Sequence, residues 1–113
     1  MDAYSQVGAA DARGIIERDE AWLLDVRETW EWDLGHAPEA HHIPMGELGS
    51  RQEEIPAEAP ILVVCHSGQR SAMVSEALEN AGYESANVEG GMSAWVAAGG
   101  VVLDSAGEPG RVD

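Results

Sequence analysis

The spacing of apolar residues changes period several times along the chain, and each change marks an element. Ile61-Leu62-Val63-Val64 is an unbroken aliphatic run of strand length, apolar enough to be buried on both faces, as in a parallel sheet covered by helices. Val74, Ala77, Leu78 and Ala81 then recur at i, i+3, i+4 and i+7, which predicts a helix with Ser71 placed to cap its start and Gly82 to end it. Upstream, Ala9, Ala12, Ile15 and Ile16 make an apolar stripe over about residues 8–19, opposite Glu17, Arg18 and Asp19. Gly14 weakens this helix by about 1 kcal/mol relative to Ala. Residues 22–26 read as a strand, and residues 29–34 as a short helix capped by Thr29 and stopped at Gly35, with Trp30 and Trp32 expected as core anchors in preference to the lining of a ligand site. Residues 45–60 are polar and carry Pro56 and Pro60, which predicts a short helix and a loop. A strand over 85–89, a tight turn at Gly90-Gly91 and a helix over 92–98 with Trp95 packed complete the pattern. Residues 99–103 read as extended.

Strands and helices alternate in units of about 20–35 residues, which indicates an α/β domain with a mostly parallel central sheet flanked by helices on both faces. The expected domain covers residues 1–103, followed by a mobile tail over 104–113. The length of 113 residues is enough for one core without staples.

Charge narrows the partners. Six Lys plus Arg against 21 Asp plus Glu give a net charge of −15, which repels nucleic acid and anionic lipid and attracts, if anything, a basic protein. One cysteine excludes an internal disulfide and any metal site built on cysteine pairs. His36, His41 and His42 are the remaining candidates for a metal. The adjacent pair points to opposite sides if extended, and no carboxylate completes a recognised ligand spacing, so no metal is expected. Met1-Asp2-Ala3-Tyr4 lacks the basic and apolar regions of a signal peptide, and the longest nearly apolar run, residues 94–103, is far short of the roughly 20 residues of a membrane span. A reducing, cytoplasmic location is the simplest expectation.

The candidate chemistry lies where the aliphatic run ends. Cys65 follows the buried strand and faces a loop, His66-Ser67-Gly68-Gln69-Arg70-Ser71, that wraps into a helix amino terminus. Unpaired N–H groups and the positive end of the helix dipole favour an anion there, and a thiolate is an anion. Gly68 permits a positive φ that lets successive N–H groups converge, and Arg70 adds positive charge. A lone cysteine is otherwise most often a small core residue.

Cys65 to Ser71 resembles the active-site loop of single-domain rhodaneses, sulfurtransferases that carry sulfur as a cysteine persulfide. Three further stretches match in the family's order: Leu23-Leu24-Asp25-Val26-Arg27-Glu28, Gly35-His36-Ala37-Pro38-Glu39-Ala40 through Ile43-Pro44, and Gly90-Gly91-Met92-Ser93-Ala94-Trp95 through Ala98-Gly99. Glu39 stands where the family commonly has Gly, which puts the turn geometry there in question. The resemblance implies a rhodanese-like domain with Cys65 as catalytic nucleophile. His66, Ser67, Gly68, Gln69, Arg70 and Ser71 would bind the substrate sulfur, with Asp25 and Arg27 as supporting groups. The implied reaction takes sulfane sulfur from a small donor such as thiosulfate onto Cys65 and passes it to cyanide, a thiol or a sulfur-accepting protein, with no cofactor. Arg70 would hold donor charge or brace the loop, and His66 is either a proton shuttle or a solvent-facing loop residue. Two-domain thiosulfate sulfurtransferases carry basic residues just after the cysteine, where this chain has His66 and Ser67, so thiosulfate is in question as donor.

Two other readings share these residues. A sulfur-carrier or regulatory module would deliver the persulfide to a dedicated partner with little small-molecule turnover. A cysteine phosphatase or arsenate reductase would use the same thiolate and amide cradle, but Cys65 and Arg70 have four residues between them where the phosphatase signature has five.

Overall fold

The structure, a computed structural model, describes residues 5–113; Met1 to Tyr4, read above against a signal peptide, lie outside the described residues. The described residues form a five-stranded, all-parallel sheet in the order β1 (Ser5–Val7), β5 (Ser85–Val88), β4 (Ile61–Val64), β2 (Trp22–Asp25), β3 (His41–His42). The aliphatic run becomes the central strand β4. Its four residues are all buried, and alternation sends them to different layers. Leu62 and Val64 pack with α1 (Ala9–Glu17) and α5 (Gly91–Ala97), whereas Ile61, Val63 and Cys65 pack with Val74 and Leu78 of α4 (Gln69–Asn80). Helices therefore cover both faces, as the uninterrupted apolar pattern requires, and the polar stretch before β4 holds one further short helix, α3 (Leu48–Arg51).

From the β2/β4 boundary the chain proceeds outward in opposite directions, β2 to β3 on one side and β4 to β5 on the other. The carboxyl ends of strands at such a switch point leave a crevice between diverging connections, where open α/β sheets bind ligands. Cys65 follows β4 at this boundary, and Val26 and Arg27 follow β2 beside it.

The helix α2 (Thr29–Leu34) is set by a buried ion pair. Arg27, 1% exposed, gives Nε and Nη2 to the carboxylate of Asp25, 0% exposed, at 2.7–3.1 Å. The same guanidinium donates to the carbonyl of Gly35 at 2.8 Å and that of Glu31 at 3.4 Å, so it holds the carboxyl end of α2 as well. The sequence places Thr29 as the cap of α2, but the cap is Glu28, whose side chain accepts from the Glu31 N–H while the Glu31 carboxylate accepts from the Glu28 N–H at 3.0 Å. This reciprocal arrangement satisfies two free amides where a lone hydroxyl satisfies one.

Two further expectations are corrected. Trp30 is 60% exposed rather than a core anchor, because α2 turns its Glu31 face inward. Trp32 does anchor, but between histidines: its ring stacks on His36 at 3.6 Å and on His42 at 4.7 Å, and Trp22 stacks on His41 at 4.2 Å. Residues 104–113, expected to be mobile, are tied down. Leu103 pairs with His36 and with Pro109, Gly110 N–H donates to Val102 O at 3.0 Å, Arg111 N–H donates to Leu34 O at 2.9 Å, and Val112 packs on the core. At Glu39 the turn closes with Ala40 N–H donating to Ala37 O at 3.0 Å. Asp19 is the one residue other than glycine with positive φ among the described residues, so the turn accepts Glu39 without a left-handed backbone.

Because Arg27 and Asp25 are both desolvated, removing one leaves the other charged and buried. Arg27→Met is expected to destabilise the fold by about 3–5 kcal/mol in chemical denaturation, and the double variant Asp25→Leu/Arg27→Met by clearly less than the two single losses combined.

Candidate functional site

The loop after β4 folds into a cup around the Cys65 sulfur. Gly68, with φ of 107°, precedes the first residue of α4, and its N–H donates to Cys65 Sγ at 3.1 Å. The backbone N–H groups of Ser67 and Ser71 also face the sulfur. Ser71 was expected as the helix cap; it lies instead inside the first turn of α4, fully buried, with its hydroxyl 3.3 Å from Sγ. The reason is Gly68: its left-handed conformation starts the helix three residues earlier and turns the Ser71 side chain inward.

The residue is 1% exposed, and burial pushes the Cys65 thiol up. The Ser71 hydroxyl and the N–H groups of Ser71, Gly68 and Ser67 outweigh burial and hold the thiol below its ordinary value. Four donors aimed at one sulfur thus make a desolvated thiolate tenable.

The floor of the cup is the start of α5. Met92 N–H donates to Cys65 O at 2.7 Å and Ser93 N–H to His66 O at 3.1 Å, so the first free amides of α5 grip the loop backbone. Gly91 allows this approach: φ is 60°, and a Cβ there would lie 2.5 Å from Cys65 O. The Gly90-Gly91 pair, which reads as a turn in the sequence, is therefore a contact surface for the cysteine loop.

Arg70 does not reach the sulfur. Its guanidinium forms a bidentate pair with the carboxylate of Glu31 at 2.8 and 2.9 Å, which ties the loop to α2. The Arg70 fork holds the Glu31 carboxyl below the usual carboxylate range despite burial, and Glu31 in turn raises Arg70. Of the two roles expected for Arg70, bracing the loop is the one this geometry serves. Ser67 donates to Gln69 Oε1 at 2.7 Å on the exposed rim, and His66 is half-buried beside them. Asp25 and Arg27, at the end of β2, connect to the loop through Glu31, whose carbonyl accepts from Arg27 and whose carboxylate pairs with Arg70.

Two residues of this network escaped the sequence reading. Glu31 was legible in principle, since the Glu28/Glu31 spacing is that of a capping box and Arg70 calls for a counter-charge. Asn87 is a polar side chain, 3% exposed, between Ala86 and Val88 in strand β5, and it contacts Ser71. Polarity at a buried strand position was the available signal. Among the described residues no group of three or more His, Cys, Asp or Glu is placed to hold a metal, and no helix is long and apolar enough to cross a membrane.

The Glu31–Arg70 pair carries a pH signature. Because Glu31 has a lowered pKa when folded, its contribution is complete above the unfolded value of about 4.3 and disappears as pH falls through the lower folded value. Glu31→Gln is expected to cost about 1–3 kcal/mol at pH 7, and the gap from the wild type to close below about pH 4 in thermal unfolding followed across pH. A gap that stays constant over this range would show that the ionised pair is not its source.

Residues 8–98 match the Rhodanese-like domain family. The chain is 38% identical over 91 residues to Putative sulfurtransferase YtwF of Bacillus subtilis (strain 168), covering 80% of this chain and 88% of that protein. Among solved structures, a rhodanese-related protein of Thermoplasma volcanium superposes with a TM-score of 0.82 at 32% identity, covering 88% of this chain and 98% of the other. A thiosulfate sulfurtransferase from Pseudomonas aeruginosa superposes with a TM-score of 0.80 at 24% identity over 97% of this chain and 22% of its own, a likeness of fold alone. With the loop, the sheet order and these likenesses in agreement, the chain belongs to the rhodanese-like domain family.

Proposed function

We propose that the protein is a sulfurtransferase in which Cys65 carries the sulfur. The observation that supports this most directly is the cup of donors around a sulfur at the carboxyl end of the central strand, with the thiol held below its ordinary value. The Cys65 thiolate attacks the outer sulfur of a donor. A Cys65–sulfur bond forms, the donor's sulfur–sulfur bond breaks, and the electron pair leaves with the donor's remaining thiolate or, from thiosulfate, with sulfite. The negative charge now rests on the outer sulfur of the persulfide, where the loop amides from His66 to Ser71 stabilise it as an oxyanion hole stabilises oxygen. A nucleophilic acceptor, whether a thiolate, cyanide or a protein thiol, then takes that outer sulfur and returns the electron pair to Cys65. The sulfur serves as both nucleophile and carrier, so the cycle calls for no cofactor.

Donor choice follows from charge. Arg70 is bound by Glu31, and the chain as a whole carries −15, so a dianionic donor meets repulsion with no free guanidinium in the loop to offset it. A small organic persulfide suits this site better than thiosulfate. The same pairing disfavours a phosphatase, which would need the Arg70 fork for an oxyanion. A lone activated thiol suits the reducing cytoplasm, where it is kept from oxidation.

Intact-mass spectrometry tests the cycle. Exposure to an organic persulfide is expected to add one sulfur, about 32 Da, reversed by cyanide and absent in Cys65→Ser. Thiosulfate is expected to load more slowly, on the order of tenfold, and to gain rate as ionic strength rises. Loading without turnover by cyanide or small thiols would identify a sulfur carrier instead of an enzyme. If neither donor loads Cys65, the sulfurtransferase reading fails.

A further inference from the structure

The Ser71 hydroxyl has one proton and two acceptors. Asn87 Oδ1 lies 2.5 Å away and Cys65 Sγ 3.3 Å away, and the three residues are 0%, 3% and 1% exposed in the order Ser71, Asn87, Cys65. The Asn87 amide is oriented by its other end, where Nδ2 donates to Gln6 Oε1 at 2.9 Å and to Gly68 O at 3.3 Å. Its oxygen is thereby the atom presented to Ser71.

We propose that Asn87 is a positioning residue for Cys65, accepting the Ser71 hydroxyl's hydrogen bond while the sulfur is neutral and yielding it when the sulfur is an anion. A thiol is a weak acceptor, so the amide oxygen wins the hydroxyl; a buried thiolate is a charged acceptor and draws it back. In the persulfide the charge moves to the outer sulfur, Sγ becomes a neutral bridging atom, and the Ser71 hydroxyl turns its hydrogen bond back to Asn87. Ser71 thus assists Cys65 at the two moments when Sγ bears charge: as the attacking thiolate and as the leaving thiolate. Competition from Asn87 also limits how deeply the thiolate is stabilised, which matters because intrinsic nucleophilicity falls as thiol pKa falls. This inference rests on Cys65 as the sulfur-carrying thiolate and adds a residue outside the cysteine loop to its control.

The charged groups around the sulfur are Arg70, already paired with Glu31, with Glu28 close by, and the Asp25–Arg27 pair at the end of the neighbouring strand. His66 is next in the chain. The side-chain hydrogen bonds of Ser71 and Asn87 involve none of these groups, so their contributions are common to the variants that test the relay.

The test is the pH dependence of Cys65 alkylation by iodoacetamide in the wild type, Asn87→Ala, Ser71→Ala and the double variant. Asn87→Ala leaves the sulfur as the one acceptor for Ser71, and the alkylation midpoint is expected to fall by about half to one pH unit. In the Ser71→Ala background the same substitution is expected to produce little or no fall, because there is no hydroxyl to release. Gln6→Ala, on the exposed end of the network, frees the amide to rotate and is expected to give a smaller fall with the same dependence on Ser71; it covers the case in which Asn87→Ala does not fold. A shift of equal size with and without Ser71, or no shift in either variant, overturns the proposal. Alkylation reads ionisation without turnover, so a failure to load sulfur would remove the sulfurtransferase reading while this coupling is still measured separately.

Discussion

Everything around the sulfur hangs from the buried ion pair between Asp25 and Arg27. Two charges taken out of water are an expensive way to close the end of a strand, and their mutual attraction alone rarely recovers the desolvation cost. What they contribute here is position. Arg27 has donors beyond those that Asp25 satisfies, and it uses them on the carbonyls of Glu31 and Gly35. That fixes α2 over the end of β2. With α2 fixed, the Glu31 carboxylate has one place to be, and Arg70 is drawn to it. The loop bearing Cys65 is thus held at one side by a chain of charge-assisted bonds that begins on another strand, and from below by the first amides of α5.

The consequence for the thiol is a balance between two large and opposing effects. Burial of Cys65 disfavours the thiolate, and hydrogen bonds to the sulfur favour it. A loop that drifted by an ångström would lose most of the second effect while keeping the first, because hydrogen bonds weaken steeply with distance and angle whereas desolvation does not. Rigidity is therefore a requirement of the chemistry. It explains why Arg70 serves as a strut: a guanidinium free to bind donor would leave the cup unsupported on the α2 side.

The layers of the fold were legible in the sequence because they depend on local periodicity. An aliphatic run such as residues 61–64 can be buried on both faces in few ways, and the α4 stripe points to one of its covers. Cys65 was legible for the same reason, as the residue at which the run ends. Errors fell where the outcome depended on contacts distant in sequence. Ser71 looks like a cap until Gly68 starts the helix earlier; Trp30 looks like an anchor until Glu31 takes the inward face; the polar residues after 103 look mobile until the backbone of Asp33 and Leu34 offers them partners. Glu31 and Asn87 lie 39 and 16 residues from the loop side chains they contact, and nothing in their own neighbourhoods names those partners.

The distribution of charge around the site completes the physical picture. A net charge of −15 is concentrated on the surface, whereas the cationic groups nearest the sulfur are consumed in pairs, Arg27 by Asp25 and Arg70 by Glu31. An anion formed at Cys65 is consequently stabilised by neutral dipoles: backbone amides and one hydroxyl. Dipoles of this kind act at short range and are aimed, so they hold a charge at Sγ or one atom beyond it and do little for an anion approaching from solvent. A site built this way separates two problems that a lysine or a free arginine would merge. It can stabilise a sulfur anion formed within the cup without also attracting every anion in the surrounding solution, which the repulsive surface around the exposed rim of Ser67 and Gln69 keeps at a distance.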